Sequence, residues 1–404
     1  MEFIRLAIDI LSRGLVRKHF FWFLPLFLLA LILAKNAEAR FASRFSLSAT
    51  EEYNDNIFFA KEKDQDFVTS ITPTLTFLYA PPGQKDFPFR ASIGSALQVF
   101  ARNSDQNNFG DNTFIDAGYT YRYSPRLSFE INETLRRIGE TRTQGSDIAQ
   151  LGTGGDQLSN RFSVDGTFLY TPKITFTGGF AGSYQSFLDE GGTDIDNSVG
   201  IRGTYQWEQH NLHAGYRIRI IKSRNENRND DDNILHDFDL GDDYFSSKKI
   251  KLTPTLTLSA SSGISLNTGG DGPAIANNTN INLIKVWRGA TFTAGVSRGL
   301  TSSLGVSGLS NTTRFLTNIK IQFTRFLTAT ADINFSLFDT DDEDFDVLQA
   351  QADIQYLITG WLSSNLRYIH RRRSIRTINS NSVLLFFTAH FDIGPNPGLG
   401  KAIP

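Results

Sequence analysis

The chain has 404 residues, with 40 Lys and Arg against 42 Asp and Glu, a balance that offers no general basic surface for nucleic acid. It has no cysteine, which excludes disulfides, thiolate metal sites, a Cys nucleophile, haem attached through Cys and a lipid on an N-terminal Cys. Aromatic residues make up 12% while mean hydropathy is slightly negative; this suits a wall that is apolar on one face and wet on the other, and does not suit a helical membrane protein.

Arg13, Arg17 and Lys18 precede the apolar run Phe20–Leu33, and Ala37-Glu38-Ala39 supplies the small residues of a cleavage site. The pattern predicts a cleaved export signal over residues 1–39. An uncleaved anchor helix is disfavoured, because the apolar run is short for a membrane span and contains Pro25.

From there the chain alternates large apolar with polar or small residues, in runs about twice the usual strand length and long enough to cross a bilayer at a tilt. The expected strands begin with 43–54, 67–79, 89–102, 113–123 and 127–138. The clearest hairpin spans Leu158–Phe187: Phe162, Val164, Phe168 and Tyr170 share one face of its first strand, and Ile174, Phe176, Phe180 and Tyr184 one face of its second. Strands 196–207, 212–222, 234–245, 250–266, 279–287, 290–300, 313–323, 327–338, 346–358, 361–373 and 380–393 follow. Alternation is imperfect in 234–245, 279–287 and 290–300.

Every second connection is tight, as at Ser124–Arg126, Thr171–Lys173, Arg288-Gly289, Thr324–Phe326 and Thr359-Gly360; the intervening ones are longer and polar, as at Glu140–Gln157 and Ser223–Asn233. This predicts an all-β fold, a transmembrane antiparallel up-and-down barrel of about 18 strands with short periplasmic turns and longer extracellular loops. The barrel is expected over residues 40–393, with 394–404 as a short periplasmic tail. A soluble β-sandwich fits the strand length and export signal less well.

Tyr123, Tyr170, Trp207, Trp287 and Trp361 lie beside the tight turns, with Tyr79, Tyr121, Phe323 and Phe326, and read as an aromatic girdle at the membrane interface. Tyr123-Ser-Pro-Arg-Leu127 and Tyr170-Thr-Pro-Lys-Ile174 repeat at equivalent places in successive hairpins. Val383–Phe391 looks like the aromatic-ending last strand that the barrel-assembly machinery recognises, although a tail follows it here.

If the apolar face meets lipid, the other lines a lumen wide enough for water. Its basic positions then include Arg90, Arg102, Arg122, Arg136, Arg161, Arg202, Arg217, Arg219, Lys320, Arg367, Arg371 and Arg373, against Asp116, Glu130, Asp165, Glu208, Asp332 and Asp353. Arg136, Arg202, Arg217, Arg219, Arg367 and Arg371 are the expected pore lining, since guanidinium grips carboxylate or phosphate in a fork and a ladder of Arg favours anions. The blander alternative is that these charges pair across strands and merely solvate the wall.

Other features carry less. Arg371-Arg372-Arg373, at an outer strand end, suits lipopolysaccharide phosphates. Asp341-Asp342-Glu343-Asp344 offers carboxylates to Ca²⁺ but lacks the spacing and glycine of an EF-hand, so a solvated acidic loop is favoured. The six histidines show no metal-ligand spacing beyond His210-x-x-His213, and there is no nucleophile elbow or phosphate-cradling glycine loop. No cofactor and no catalytic residue is expected.

Glu52-Tyr53-Asn54-Asp55-Asn56-Ile57-Phe58 resembles the opening of a family of bacterial outer-membrane barrels, the porin-like proteins found beside exopolysaccharide synthesis and exosortase (PEP-CTERM) loci. The resemblance implies an 18-stranded or similar barrel with a role in polysaccharide export, and brings no catalytic residues. The leading expectation is an outer-membrane porin-like channel passing an anionic exopolysaccharide or solutes, in contact with lipid, lipopolysaccharide and periplasmic polysaccharide export proteins. The alternatives are a small-solute diffusion porin and a structural barrel, such as a sheath around an electron-transfer cytochrome or a surface adhesion scaffold.

Overall fold

The computed structural model describes residues 40–81, 87–138, 156–187, 192–224, 231–245, 255–268, 274–302, 309–339, 344–374 and 378–393. The expected export signal, the C-terminal tail, most of the 140–157 loop and residues 341–343 of the acidic loop lie outside them.

Eighteen strands form one antiparallel sheet: β1 (Arg40–Asn54), β2 (Asp66–Ala80), β3 (Phe89–Phe100), β4 (Asn108–Ser124), β5 (Leu127–Ile138), β6 (Gln157–Thr171), β7 (Ile174–Phe187), β8 (Gly192–Trp207), β9 (His210–Arg224), β10 (Asp231–Phe245), β11 (Leu256–Asn267), β12 (Ala274–Trp287), β13 (Ala290–Ser302), β14 (Leu309–Gln322), β15 (Leu327–Asp339), β16 (Phe345–Leu357), β17 (Leu362–Arg373) and β18 (Ile378–Ile393). Each pairs with its neighbours in sequence, and β1 closes the wall on β18 from Ser43↔Ile393 to Asn54↔Ser382. Closure leaves no strand edge unpaired, which a sheet in lipid requires. Side chains reinforce the seam: Arg44 Nε donates to Asp392 Oδ1 at 2.7 Å, and Ser48 and Thr388 hydroxyls meet at 3.2 Å. Among the described residues no helix is long and apolar enough to cross a membrane.

The expected strands are all present and the differences are at their ends; residues 250–254 of the expected strand 250–266 lie outside the described residues. β12 starts at Ala274, five residues before the expected 279, because its first residues are small and polar (Ala-Ile-Ala-Asn-Asn) and hide the alternation that pairing with β11 imposes.

Alternation sorts the two faces. The outward face carries the exposed apolar residues, among them Leu47, Phe67, Phe77, Ile93, Val199, Ile201, Leu240, Ile281, Phe315, Ile333 and Phe387. The inward face is concave, so its polar side chains crowd one another: Gln98, Ser265, Asn267, Ser336 and Ser382 are all buried. This inversion, apolar outside and polar inside, is the stable arrangement only when the solvent outside is lipid.

Four tight turns share one device. The hydroxyl three residues before the next strand accepts from the two following amides: Ser124 Oγ from Arg126 and Leu127, and Thr171 Oγ1 from Lys173 and Ile174. Thr324 Oγ1 accepts from Phe326 and Leu327, and Thr359 Oγ1 from Trp361 and Leu362. Side-chain oxygens that mimic a turn in this way explain the Tyr-(Ser/Thr)-Pro-(Arg/Lys) repeat. Beside these and the β8–β9 and β12–β13 turns, Tyr123, Tyr170, Trp207, Trp287 and Trp361 are each more than half exposed. Trp361 rests against outward Phe391, ring centroids 6.0 Å apart.

Candidate functional site: the lumen and its inward loop

Register places all six expected pore-lining arginines on the inner face. Inwardness is direct for two of them. Arg202 on β8 reaches over β9 to Asp239 on β10 at 3.1 Å. Arg219 on β9 binds Asp196 on β8 at 2.9 Å and the carbonyl of Leu300 on β13 at 3.3 Å. Four strand spacings are roughly 19 Å along a wall, beyond the reach of one side chain, so the wall bends sharply inward between β9 and β13. Gly241 and Gly263 mark the corner: a Cβ on Gly263 would collide with the Phe238 carbonyl, and one on Gly241 would sit 2.6 Å from the Ala260 carbonyl. Only glycine allows two backbones this close on a concave face.

The six arginines differ in what they meet. Arg367 donates to Asp353 at 2.7 Å and lies 5.0 Å from the Phe386 ring centroid. Arg136 stands 3.9 Å from Asp116 and is largely solvated. Arg217 is exposed, and no ion pair holds it among the described residues. Its register partner on β10, Asp237, is occupied instead by Ser265 Oγ and Asn278 Nδ2. Arg371 is 5% exposed, opposite Gln349 and Ser380, and its Nε has no hydrogen-bond partner.

The expected two-to-one excess of inward base over acid shrinks to near balance. Asp194 and Asp196 on β8, Asp237, Asp239 and Asp243 on β10, and Glu52 and Asp392 at the seam also face inward, against added Arg40, Arg44 and Arg314. Arg102 and Glu208 leave the list, since the first falls in the connection after β3 and the second in the β8–β9 turn at φ 52°. The signal for the missed acids is the spacing Asp237-x-Asp239-x-Gly241-x-Asp243, blurred by Asp242 on the outward face of the same strand.

The larger correction concerns residues 55–65, expected as an outer loop. They fold into the mouth of the barrel. Phe59 (3% exposed) packs on inward Phe338, Phe345 and Val347, with Ile378 beside them; Ile57 (1% exposed) packs on inward Val68 and Phe100. The segment that carries the family resemblance ties it down. Asn56 Nδ2 donates to the carbonyls of Ala60 (2.7 Å) and Asn379 (2.9 Å), its Oδ1 accepts from Ala60 N, and its amide donates to Asn54 Oδ1. Asp55 accepts from the amide and side chain of Asn381 at 2.6 and 2.9 Å, and pairs with Lys63 at 2.8 Å. Burial works against the Asp55 charge, but Lys63 and Asn381 outweigh it and hold the carboxyl below its ordinary range. At the far end Asp66 accepts from the amides of Phe67, Arg102 and Asn103 and from the Asn103 side chain, which fastens the β3–β4 connection to the same rim.

The wall, its polar lumen and its girdle are those of an 18-stranded outer-membrane barrel. The chain is similar in fold to the crystal structure of OccAB4 from Acinetobacter baumannii, with a TM-score of 0.52 and 12% identity over 89% of this chain and 100% of that one. OccK7 (OpdD) from Pseudomonas aeruginosa gives 0.50 and 13% over 89% and 100%. No protein-family model and no curated protein matches the sequence.

Proposed function

We propose that this chain is a passive channel through the outer membrane for small hydrophilic solutes, with a preference for anions. The observation that carries it is a closed wall whose inner face is charged and wet, on which Arg217 stands exposed with its register partner Asp237 already engaged. A guanidinium free of a partner presents its full field to a passing ion, whereas one paired to a carboxylate is largely cancelled. The inner charges pair across strands rather than converging on one reacting point, which favours a channel over an enzyme.

Export of an anionic exopolysaccharide is the second reading, supported by the Tyr53–Phe58 opening. It asks more of the structure, because residues 55–65 occupy part of the mouth. Planar-bilayer recording of the purified protein tests both. A stable conductance with anion preference, passing monosaccharides and closed to polymer, supports the first; a sealed barrel sinks both.

A further inference from the structure

Arg371 is the one expected pore arginine that is buried. It lies on β17 beneath the inward loop, between the Phe59 cluster on one side and Ser380, which binds Asn54, on the other. It is 5% exposed, its Nε is buried without a partner, and among the described residues no hydrogen bond or ion pair holds it. Glu52 on β1 attracts it through space without forming an ion pair. Three inner-face neighbours are in the same condition: Gln349 Oε1 directly across on β16, Ser336 Oγ on β15 and Ser382 Oγ on β18 are buried without partners. Burying a guanidinium N–H without a partner is costly. The loop that packs on the neighbouring inner-face residues Val347 and Ile378 holds Phe59 at φ 47°, a left-handed backbone that a side chain rarely adopts.

From this we infer that residues 55–65 are an anion-operated gate. With the loop down, its apolar contacts and the Asn56 and Asp55 bonds hold it over a cation whose Nε lacks a partner. With the loop lifted, Arg371 gains a soluble carboxylate, which accepts its N–H bonds while Gln349 and the two serines take up solute hydroxyls. An anion that binds only the lifted state shifts the population toward it by its differential affinity. The inference rests on the channel reading of the lumen, and it makes the permeant anion its own key.

The test compares D-galacturonate with galactose at equal concentration on the full-length barrel, read as channel opening and as amide hydrogen exchange of residues 55–65. Galacturonate is expected to raise opening and loop exchange about tenfold, the size of one charge-assisted hydrogen bond, with galactose inert. Arg371→Met abolishes the response, and Arg371→Lys keeps part of it. No response in the wild-type protein, an equal response to galactose, or an undiminished response in Arg371→Met overturns the gate. A barrel that conducts with anion preference yet ignores galacturonate loses the gate and keeps the channel. A barrel that never conducts loses the channel, and the exchange measurement on wild-type protein still decides the gate.

Discussion

Two stretches of the inner wall treat the same residue type in opposite ways. Along β8–β10 the arginines lie in the lumen and are matched: Arg202 with Asp239, Arg219 with Asp196. Along β16–β18 the loop of residues 55–65 packs on the wall, and Arg371 is buried with its Nε unpartnered and only Glu52 attracting it through space. The first stretch is built to stay as it is, since Arg202 and Arg219 have carboxylate partners and Arg217 is solvated. The second is under tension, since ordering the loop and hiding the cation oppose each other. A balanced wall conducts; an unbalanced one is where a conformational change gains free energy.

Removing the roof breaks this comparison most sharply. Replacing residues 57–64 by a short Gly/Ser linker uncovers Arg371 and widens the mouth, so single-channel conductance should rise at least about twofold, since the narrowest section sets the current. An unchanged conductance would mean that the constriction lies elsewhere, at the bend between β9 and β13.

Asn56→Ala acts on the same roof more gently. It removes the side-chain bonds to Ala60 and Asn379, and at about 1 kcal/mol for each bond the loop should lose roughly 2–3 kcal/mol of local stability. Hydrogen exchange of its amides then speeds up by about 30- to 150-fold, with the wall strands unaffected.

On the open wall the effects are smaller. Arg217→Ser removes an unpaired cation and should lower the anion-to-cation permeability ratio about two- to threefold, measured as a reversal potential in a salt gradient. Arg219→Ser and Arg367→Ser also weaken anion preference, by leaving Asp196 and Asp353 unmatched. If Arg217→Ser has no effect, the exposed arginine does not set selectivity.

The mildest test is pH. The Asp55 carboxyl is held below its ordinary 3.8, so its hold on the loop is fully present above that value and is lost as pH falls through the lowered one. Loop exchange should therefore accelerate only in acid, below about pH 4, and Asp55→Asn should flatten that dependence.

The wall was legible in the chain because it depends on local information. Period-2 alternation, Ser or Thr three residues ahead of a strand, and an aromatic residue beside each tight turn are all contained within a dozen residues, as Leu158–Phe187 illustrates. They determine strand number, facing and the side on which the tight turns fall. The inward direction of all six arginines follows from the same rule, because one residue of register decides a face.

What each arginine meets did not follow, because its partners come from other strands. Arg217 is exposed only because Ser265 and Asn278, on β11 and β12, already hold Asp237. The loop is the clearest case. Ile57-Phe58-Phe59 reads as a few apolar residues in a polar connection, and nothing nearby says where they go. Their seats are Phe338, Phe345 and Val347 on β15 and β16, and Phe100 on β3. Only closure of the barrel brings those residues to one rim, and with them the loop down over Arg371.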